Sequence, residues 1–243
     1  MLSAAILLAA LFAAAFLSCS VKNLPTRNYY QITYTPAKQT LTGSHRPYPF
    51  ALQVAPFAIQ RIYDRQNILY RFSPNQIQYY EIERWAVRPD IMLTDVAFTH
   101  LESSGLVNRV GQTFLDSRPD FRLEGTILAI EKFDAGDLFF AHLAMSFKLL
   151  RASSGTQVWE YEFDEREQVY QREMVYTVRA LTSIFEKQMN TVVGQLDSLF
   201  LSMDRRARET GPGSGGLPSP PEESAPGDST HEDPGFRIIR EER

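Results

Sequence analysis

Three consecutive segments in the middle of the chain alternate apolar and polar residues, and this pattern limits the fold more than any other feature. Over residues 121–133, apolar or small side chains recur at every second position, with Glu131 as the exception. The same period returns over residues 141–149 and 159–163, and glycine-containing turns separate the segments. Because successive side chains of a strand point to opposite faces, the pattern predicts an antiparallel meander whose apolar face must be covered.

The cover for this face is predicted to be the helix that follows the meander. From Val175 to Met203 the apolar residues step by three or four positions, which is typical of an amphipathic helix. An unbroken helix of roughly 30 residues would be about 45 Å long. If this helix bends or breaks, we expect it to do so at Gly194.

The part of the chain before the meander predicts four more strands, a helix and a further short strand. Segments rich in aromatic and β-branched residues lie between turn residues and indicate strands over 28–35, 50–56, 68–72 and 77–83. The last two of these strands are predicted to form a hairpin. Pro89 fits the first turn of a helix, Gly105 fits its end, and a short strand over 106–110 follows. The predicted fold class is α+β, a mostly antiparallel or mixed sheet with two amphipathic helices packed on one face.

The composition is that of an ordinary globular protein. With 44% hydrophobic and 22% charged residues, the chain can form one sizeable domain or at most two small ones. The formal net charge of −4, with no Lys/Arg-rich stretch, argues against a nucleic-acid binder. Cys19 is the only cysteine, so an internal disulfide cannot form.

The amino terminus is typical of a secretory signal peptide. The apolar run from Leu2 to Leu17 has no charged side chain and, at about 16 residues, is shorter than the roughly 20 that span a bilayer. It ends in Ser18-Cys19, which resembles a bacterial lipobox, so we predict cleavage between these residues and lipidation of Cys19. Two alternatives stay open: cleavage after residues 13–15, which would release a soluble protein with a free thiol, and an uncleaved amino-terminal anchor.

The sequence divides into four parts with different roles. They are a lipoprotein signal peptide (1–18), a lipidated tether (19–27), an α+β domain (28–204) and a low-complexity tail that we predict to be disordered (205–243). The tether spans at most about 30 Å, so the domain must stay close to the membrane. Residues 235–240 form an apolar end of the tail that is either a spectator or a strand added to a partner sheet.

The order of several short motifs resembles the ABC-type transport auxiliary lipoproteins, the family that includes paraquat-inducible protein C. The resemblance runs from Tyr29 to Met203 and is carried by the segments 52–56 and 68–71, Tyr79-Tyr80, Arg84-Trp85, Pro89 and Ser104-Gly105. These motifs consist of packing and turn residues. We therefore interpret Trp85 as a core aromatic beneath the helix start, with a ligand contact as the alternative.

The family resemblance implies a function and a set of partners. It implies an accessory docking component of an ABC-type system that moves lipids between membranes, with a mammalian-cell-entry (MCE) domain protein as partner and, through it, a permease and an ATPase. Ser20 follows the cysteine where an aspartate could stand, and from this residue we predict a lipid anchor at the periplasmic face of the outer membrane. Self-association into a homo-oligomer stays open. The alternatives are a periplasmic lipid-binding carrier and a structural envelope-assembly factor without a transport role.

The sequence contains little that indicates catalysis. Residues 211–216 satisfy G-x-G-x-x-G but follow a helix and contain proline, which favours a linker over a nucleotide site. The four histidines are scattered without metal-ligand spacing, so His100 and His142 are interpreted as packed or surface residues. The acidic residues between 160 and 167 are interpreted as a solvated strand face. We therefore expect no enzymatic activity, no cofactor and no metal.

Overall fold

The computed structural model describes residues 26–37 and 47–209, which form an α+β domain with a mixed nine-stranded sheet and two helices. The elements are β1 (Asn28–Tyr30), β2 (Tyr48–Val54), β3 (Ala58–Ile59), β4 (Asn67–Ser73), β5 (Gln76–Trp85), α1 (Pro89–Ser104), β6 (Val107–Gly111), β7 (Phe121–Ala135), β8 (Leu138–Arg151), β9 (Gln157–Val169) and α2 (Met174–Glu209). The predicted fold class is confirmed. The predicted signal peptide, Cys19 and the tail from residue 210 lie outside the described residues.

The long strand β7 organises the sheet. On one side it pairs with β8, and β8 pairs with β9, which confirms the predicted antiparallel meander. On the other side three short strands meet it in parallel, one after another, with β2 at 121–123, β3 at 126–127 and β4 at 131–133. The predicted hairpin is formed by β4 and β5, while β1 adds in parallel to β5 and β6 adds in parallel to β2.

Several chain connections lie together at one end of this sheet, which we call the turn end. The β4 and β7 strands run toward it in parallel, and each returns from it through a tight turn, into β5 and β8 respectively. The β9 strand runs antiparallel to β8 and therefore also finishes there. Helix α2 starts five residues later.

Both helices pack on the same face of the sheet. Helix α2 covers β8 and β9 and runs to the amino end of β7, where the Phe200 and Phe121 rings lie 5.1 Å apart between centroids. Helix α1 packs beside it, and the hydroxyl of Thr94 accepts a hydrogen bond from the backbone N–H of Phe57 at 2.9 Å. The opposite sheet face, which neither helix contacts, is called the open face.

Helix α2 is one unbroken helix. It runs through Gly194, which is exposed, and the buried neighbours Val192, Val193 and Leu196 hold it on the sheet. It also continues to Glu209, five residues beyond the predicted boundary at 204. Arginine and alanine follow that boundary, and both favour helix.

The first strand is shorter than predicted. It ends at Tyr30 because the chain then leaves the sheet and packs across α1, where the N–H of Ile32 donates to Sδ of Met92 at 3.2 Å. Tyr34 continues this contact, since its hydroxyl lies 2.9 Å from Nδ1 of His100. His100 is thus a packed core residue, as the sequence predicted, and burial lowers its pKa to about 4.

A β-bulge between Ile127 and Ala129 reverses the alternation of β7 and explains the exceptional Glu131. Before the bulge, Ile127 pairs with Met145 and faces the helices; after it, Ile130 pairs with Leu143 and takes that face. Ala129 and Phe133, which the alternation places on the apolar face, therefore lie on the open face together with Glu131. That part of the prediction was wrong, because a bulge inserts one residue without a marker in the apolar pattern.

Candidate functional site

The most unusual residue of the domain is the buried carboxylate of Glu131, at 1% exposure. The bulge turns it onto the open face, where it forms part of the floor of a groove of about 390 Å³. Charged groups are rarely this buried unless they are paired. The groups around Glu131 therefore define the site.

Three side chains from three elements bind the Glu131 carboxylate. Tyr63, which follows β3, donates its hydroxyl to Oε2 at 2.7 Å, and Arg71 on β4 donates Nε–H to Oε1 at 2.8 Å. His142 on β8 lies directly across the strand pair, with Nδ1 3.0 Å from Oε1. Asp164 on β9 completes the Glu131 network, because its Oδ1 lies 2.9 Å from Nε2 of His142.

His142 bridges two carboxylates. Its Nδ1 lies 3.0 Å from Oε1 of Glu131, and its Nε2 lies 2.9 Å from Oδ1 of Asp164. Arg71 is the permanent cation that pairs with Glu131, at 2.8 Å. The network thus links β4, β7, β8 and β9 through side chains on the open face.

This arrangement lowers the pKa of Glu131. Burial alone would raise the pKa, but hydrogen bonds from His142, Arg71 and Tyr63 and the charge of Arg71 outweigh it and lower the pKa from 4.5 to about 2. Burial and the bond to Glu131 raise the pKa of Tyr63, so its hydroxyl stays a donor. The carboxylate therefore stays ionised at neutral pH.

We expect acid to destabilise the domain over the pH range between the unfolded-state and folded-state pKa values of Glu131. Because its pKa is lower in the folded state, its stabilisation is complete above pH 4.5 and disappears as the pH falls toward 2. This shift corresponds to a contribution of about 3 kcal/mol. Urea unfolding of the wild type and of Glu131→Gln at stepped pH measures it, and the variant should lose much of the decline between pH 4.5 and 2.

His100 provides an internal comparison for this measurement. Its pKa is lower in the folded state because burial disfavours its cation, so stability falls as the pH drops from 6.5 toward 4. His100→Gln should flatten that upper part of the profile and leave the lower part in place. A profile that Glu131→Gln does not change below pH 4.5 would contradict the role assigned to Glu131.

The three partners hold the Glu131 carboxylate in one position. Oε1 contacts Arg71 and His142, and Oε2 accepts from Tyr63. Within residues 26–37 and 47–209, no group of three or more His, Cys, Asp or Glu side chains is arranged to hold a metal ion. The network is best described as the rigid floor of a groove on the open face.

A second surface lies at the turn end, where large apolar side chains are exposed. Leu138 of the β7–β8 turn is 49% exposed, and Tyr170, just after β9, is 86% exposed. Phe72 near the end of β4 and Val175 at the start of α2 are exposed as well. We call these four residues the apolar rim.

Trp85 and Pro89, two of the residues that carry the family resemblance, lie in the core. Trp85 is 1% exposed at the end of β5, opposite Tyr30 of β1, and Pro89 is buried in the first turn of α1. The burial of Trp85 agrees with its interpretation as a core aromatic. Gly105 adopts φ 62° after α1, the left-handed conformation expected of a helix stop. Ser18 and Cys19 lie outside the described residues.

The acidic residues of β9 have separate environments. Glu160 pairs with Lys148 at 3.4 Å, both of them exposed, which fits the predicted solvated face. Glu165 lies on the helix side and accepts from Lys187 and Gln188 of α2. Asp164 belongs to the Glu131 network, which the sequence did not predict. The one sequence signal for that network was the break in alternation at Glu131.

The fold and the groove together define the class of protein. It is an α+β domain with helices on one face of the sheet and a polar groove on the open face. The model of the ABC-type transport auxiliary lipoprotein component family matches residues 30–193, and the chain belongs to this family. It is thus a lipoprotein component associated with an ABC-type transport system, with a membrane-anchored location in the cell envelope.

Several solved structures are similar to this chain at low sequence identity, and two of them have TM-scores above 0.5. Protein XCC0632 from Xanthomonas campestris, of family DUF330, is 22% identical with a TM-score of 0.64, covering 74% of this chain and 99% of its own. An uncharacterized protein is 15% identical with a TM-score of 0.55, over 71% and 99%. The PelC dodecamer from Paraburkholderia phytofirmans is 12% identical with a TM-score of 0.40, over 65% and 94%. No curated protein matches the chain.

Neither described helix could cross a membrane. Helix α1 has 16 residues, and no stretch of the longer α2 is sufficiently apolar.

Proposed function

We propose that this protein is the docking component of an MCE-linked ABC system that moves lipids between membranes. Lipidated Cys19 holds the domain at the periplasmic face of the outer membrane, and the MCE-domain protein, linked to a permease and an ATPase, contacts the domain. Family membership supports the class of transport system. The observation that supports the docking role is that helices cover only one face of the sheet. The open face and its groove are therefore available to a partner.

The chemistry of the open face favours protein contact over lipid carriage. The walls of the groove carry the exposed charged side chains of Glu162, Asp164 and Arg166, and an acyl chain lying against them would remove these groups from water without compensation. A protein partner can instead pair with these charges. We therefore favour docking over the lipid-binding carrier, and membership of a family of transport components supports a protein without enzymatic activity.

Arg166 gives this proposal a specific test. It is an exposed cation on the groove wall, and its guanidinium lies 5.4 Å from the centre of the Phe133 ring. Arg179 is a matched control, an exposed arginine on α2 whose guanidinium lies 5.5 Å from the Tyr176 ring. Charge reversal of Arg166 should weaken a partner on the open face and reversal of Arg179 should not.

The measurement is co-purification of the MCE-domain protein with the full lipidated chain. We expect capture by the wild type and Arg179→Glu, and at least tenfold weaker binding by Arg166→Glu, corresponding to about 1.4 kcal/mol. Equal capture by the two variants would indicate that the MCE-domain protein docks on a surface other than the open face. No capture by the wild type would favour the structural envelope-assembly factor, and stoichiometric phospholipid in an extract of the purified protein would favour the carrier.

Self-association remains a prediction. Sedimentation of the detergent-solubilised chain measures it directly.

A further inference from the structure

The four exposed residues of the apolar rim lie together at one end of the domain. Single exposed apolar residues are ordinary on protein surfaces. Here Phe72, Leu138, Tyr170 and Val175 come from four separate elements that all finish or start at the turn end. Beside Tyr170 a groove of about 500 Å³ runs between the end of β9 and α2, with Val169, Tyr176 and Ala180 among its walls. One end of the domain thus presents apolar and aromatic groups to its surroundings.

The tether reaches this same end. Strand β1 runs parallel to β5, with Asn28 opposite Glu83, so the chain enters β1 from the side of the β4–β5 turn. From Glu83 back to Gln76, at the turn end, is seven residues, or about 23 Å along the strand. The nine residues from Cys19 to Asn28 can span at most about 30 Å, a length sufficient to reach the turn end.

The other end of the sheet lies in the opposite direction. Arg84 lies opposite Asn67, and Leu69 lies opposite Glu131, so β1 is level with the middle of β7. From there to Phe121, at the amino end of β7, is about 25 to 30 Å. The tether would have to reverse its direction and then extend almost fully to cover that distance. The direction in which the chain enters β1 therefore favours the turn end as the side that faces the lipid surface.

We propose that the turn end rests on the phospholipid leaflet, with Leu138 and Tyr170 at the interface between headgroups and acyl chains. Tyrosine suits this position because it combines an apolar ring with a polar hydroxyl. Arg172 stands next to them, with its guanidinium 5.4 Å from the Phe139 ring, where it can meet lipid phosphates. The inference rests on the lipidation of Cys19 in the proposed function.

Fluorescence quenching by brominated phospholipid tests this orientation. The full lipidated chain is placed in vesicles of phosphatidylethanolamine and phosphatidylglycerol, with a fluorescent probe on Tyr170→Cys or, as control, on Leu115→Cys. Leu115 is also apolar and is 90% exposed, but it lies in the loop that enters the amino end of β7. The thioether at Cys19 leaves the new cysteine as the one reactive thiol.

We expect several-fold stronger quenching at position 170 than at 115. A probe on Asn75→Cys, in the exposed β4–β5 turn, should be quenched like the probe at 170 and should lose quenching when Leu138 and Tyr170 are both replaced by serine. Equal quenching at 170 and 115, or stronger quenching at 115, would overturn the proposal. So would weak quenching at both 75 and 170, which is the result expected if a protein partner or a second copy covers the rim.

The vesicles contain no transport partner, so this result is independent of docking. If the chain does not capture the MCE-domain protein but shows the expected quenching pattern, the proposed docking function is contradicted and the membrane orientation is supported. If the chain captures the MCE-domain protein but shows no quenching at the turn end, the docking function is supported and the orientation is contradicted.

Discussion

Replacement of Cys19 by alanine is expected to abolish incorporation of radioactive palmitate. The sequence before it predicts a lipobox, and the family to which the chain belongs consists of lipoproteins. The thioether forms only on a cysteine thiol, and the amide forms on the amino group that cleavage in front of the lipidated cysteine releases. Each acyl chain contributes about 0.8 kcal/mol per buried methylene, so the full lipid anchor is in practice permanent.

Ser20→Ala is the matched control, because it changes a neighbouring residue and keeps the thiol. We expect it to label like the wild type. Label is the decisive measurement, since an uncleaved Cys19→Ala precursor can stay on the membrane through its apolar run. Equal labelling of wild type and Cys19→Ala, or no label in either, would contradict lipidation. It would favour cleavage after residues 13–15 or an uncleaved anchor.

Arg71→Ala should destabilise the folded domain more than any single exposed substitution. It removes the cation that bonds Oε1 of Glu131 at 2.8 Å and leaves that carboxylate buried with one partner fewer. Removing one partner of a buried ion pair typically costs about 3 to 5 kcal/mol. Because Arg71 is 18% exposed and water can partly replace it, we expect the lower value, about 3 kcal/mol.

Lys148→Ala serves as the comparison, since Lys148 pairs with Glu160 at 3.4 Å on exposed parts of β8 and β9. Surface pairs of this kind contribute between about 0 and 1 kcal/mol. Urea unfolding followed by circular dichroism gives both free energies from the midpoints. If Arg71→Ala costs no more than Lys148→Ala, the Glu131 network does not hold the three elements together.

Local patterns were sufficient to predict the meander and its covering helix. Strand alternation and helical periodicity depend on residues a few positions apart, so β7, β8, β9 and α2 could be located from the sequence. The turn chemistry around the β4–β5 hairpin and the Pro89 and Gly105 signals of α1 are equally local. The parallel additions of β1, β2, β3 and β4 depend on pairing partners far along the chain.

The Glu131 network could not be predicted, because its five residues come from five segments that only the folded sheet assembles. The bulge at Leu128 determines which face Glu131 occupies, and nothing in the composition of β7 marks it. Tyr63 lies in a short irregular segment whose position depends on the contact of β3 with β7. The break in alternation indicated that something was unusual there, but it gave no information about the partners.

The length of α2 has a consequence for the shape of the assembly in the envelope. The helix starts at the turn end, and its 36 residues rise by about 54 Å. With the turn end on the leaflet, Glu209 lies up to about five nanometres away from the lipid surface, beyond the far edge of the strands. Helix α2 therefore sets the distance between the leaflet and the far side of the domain.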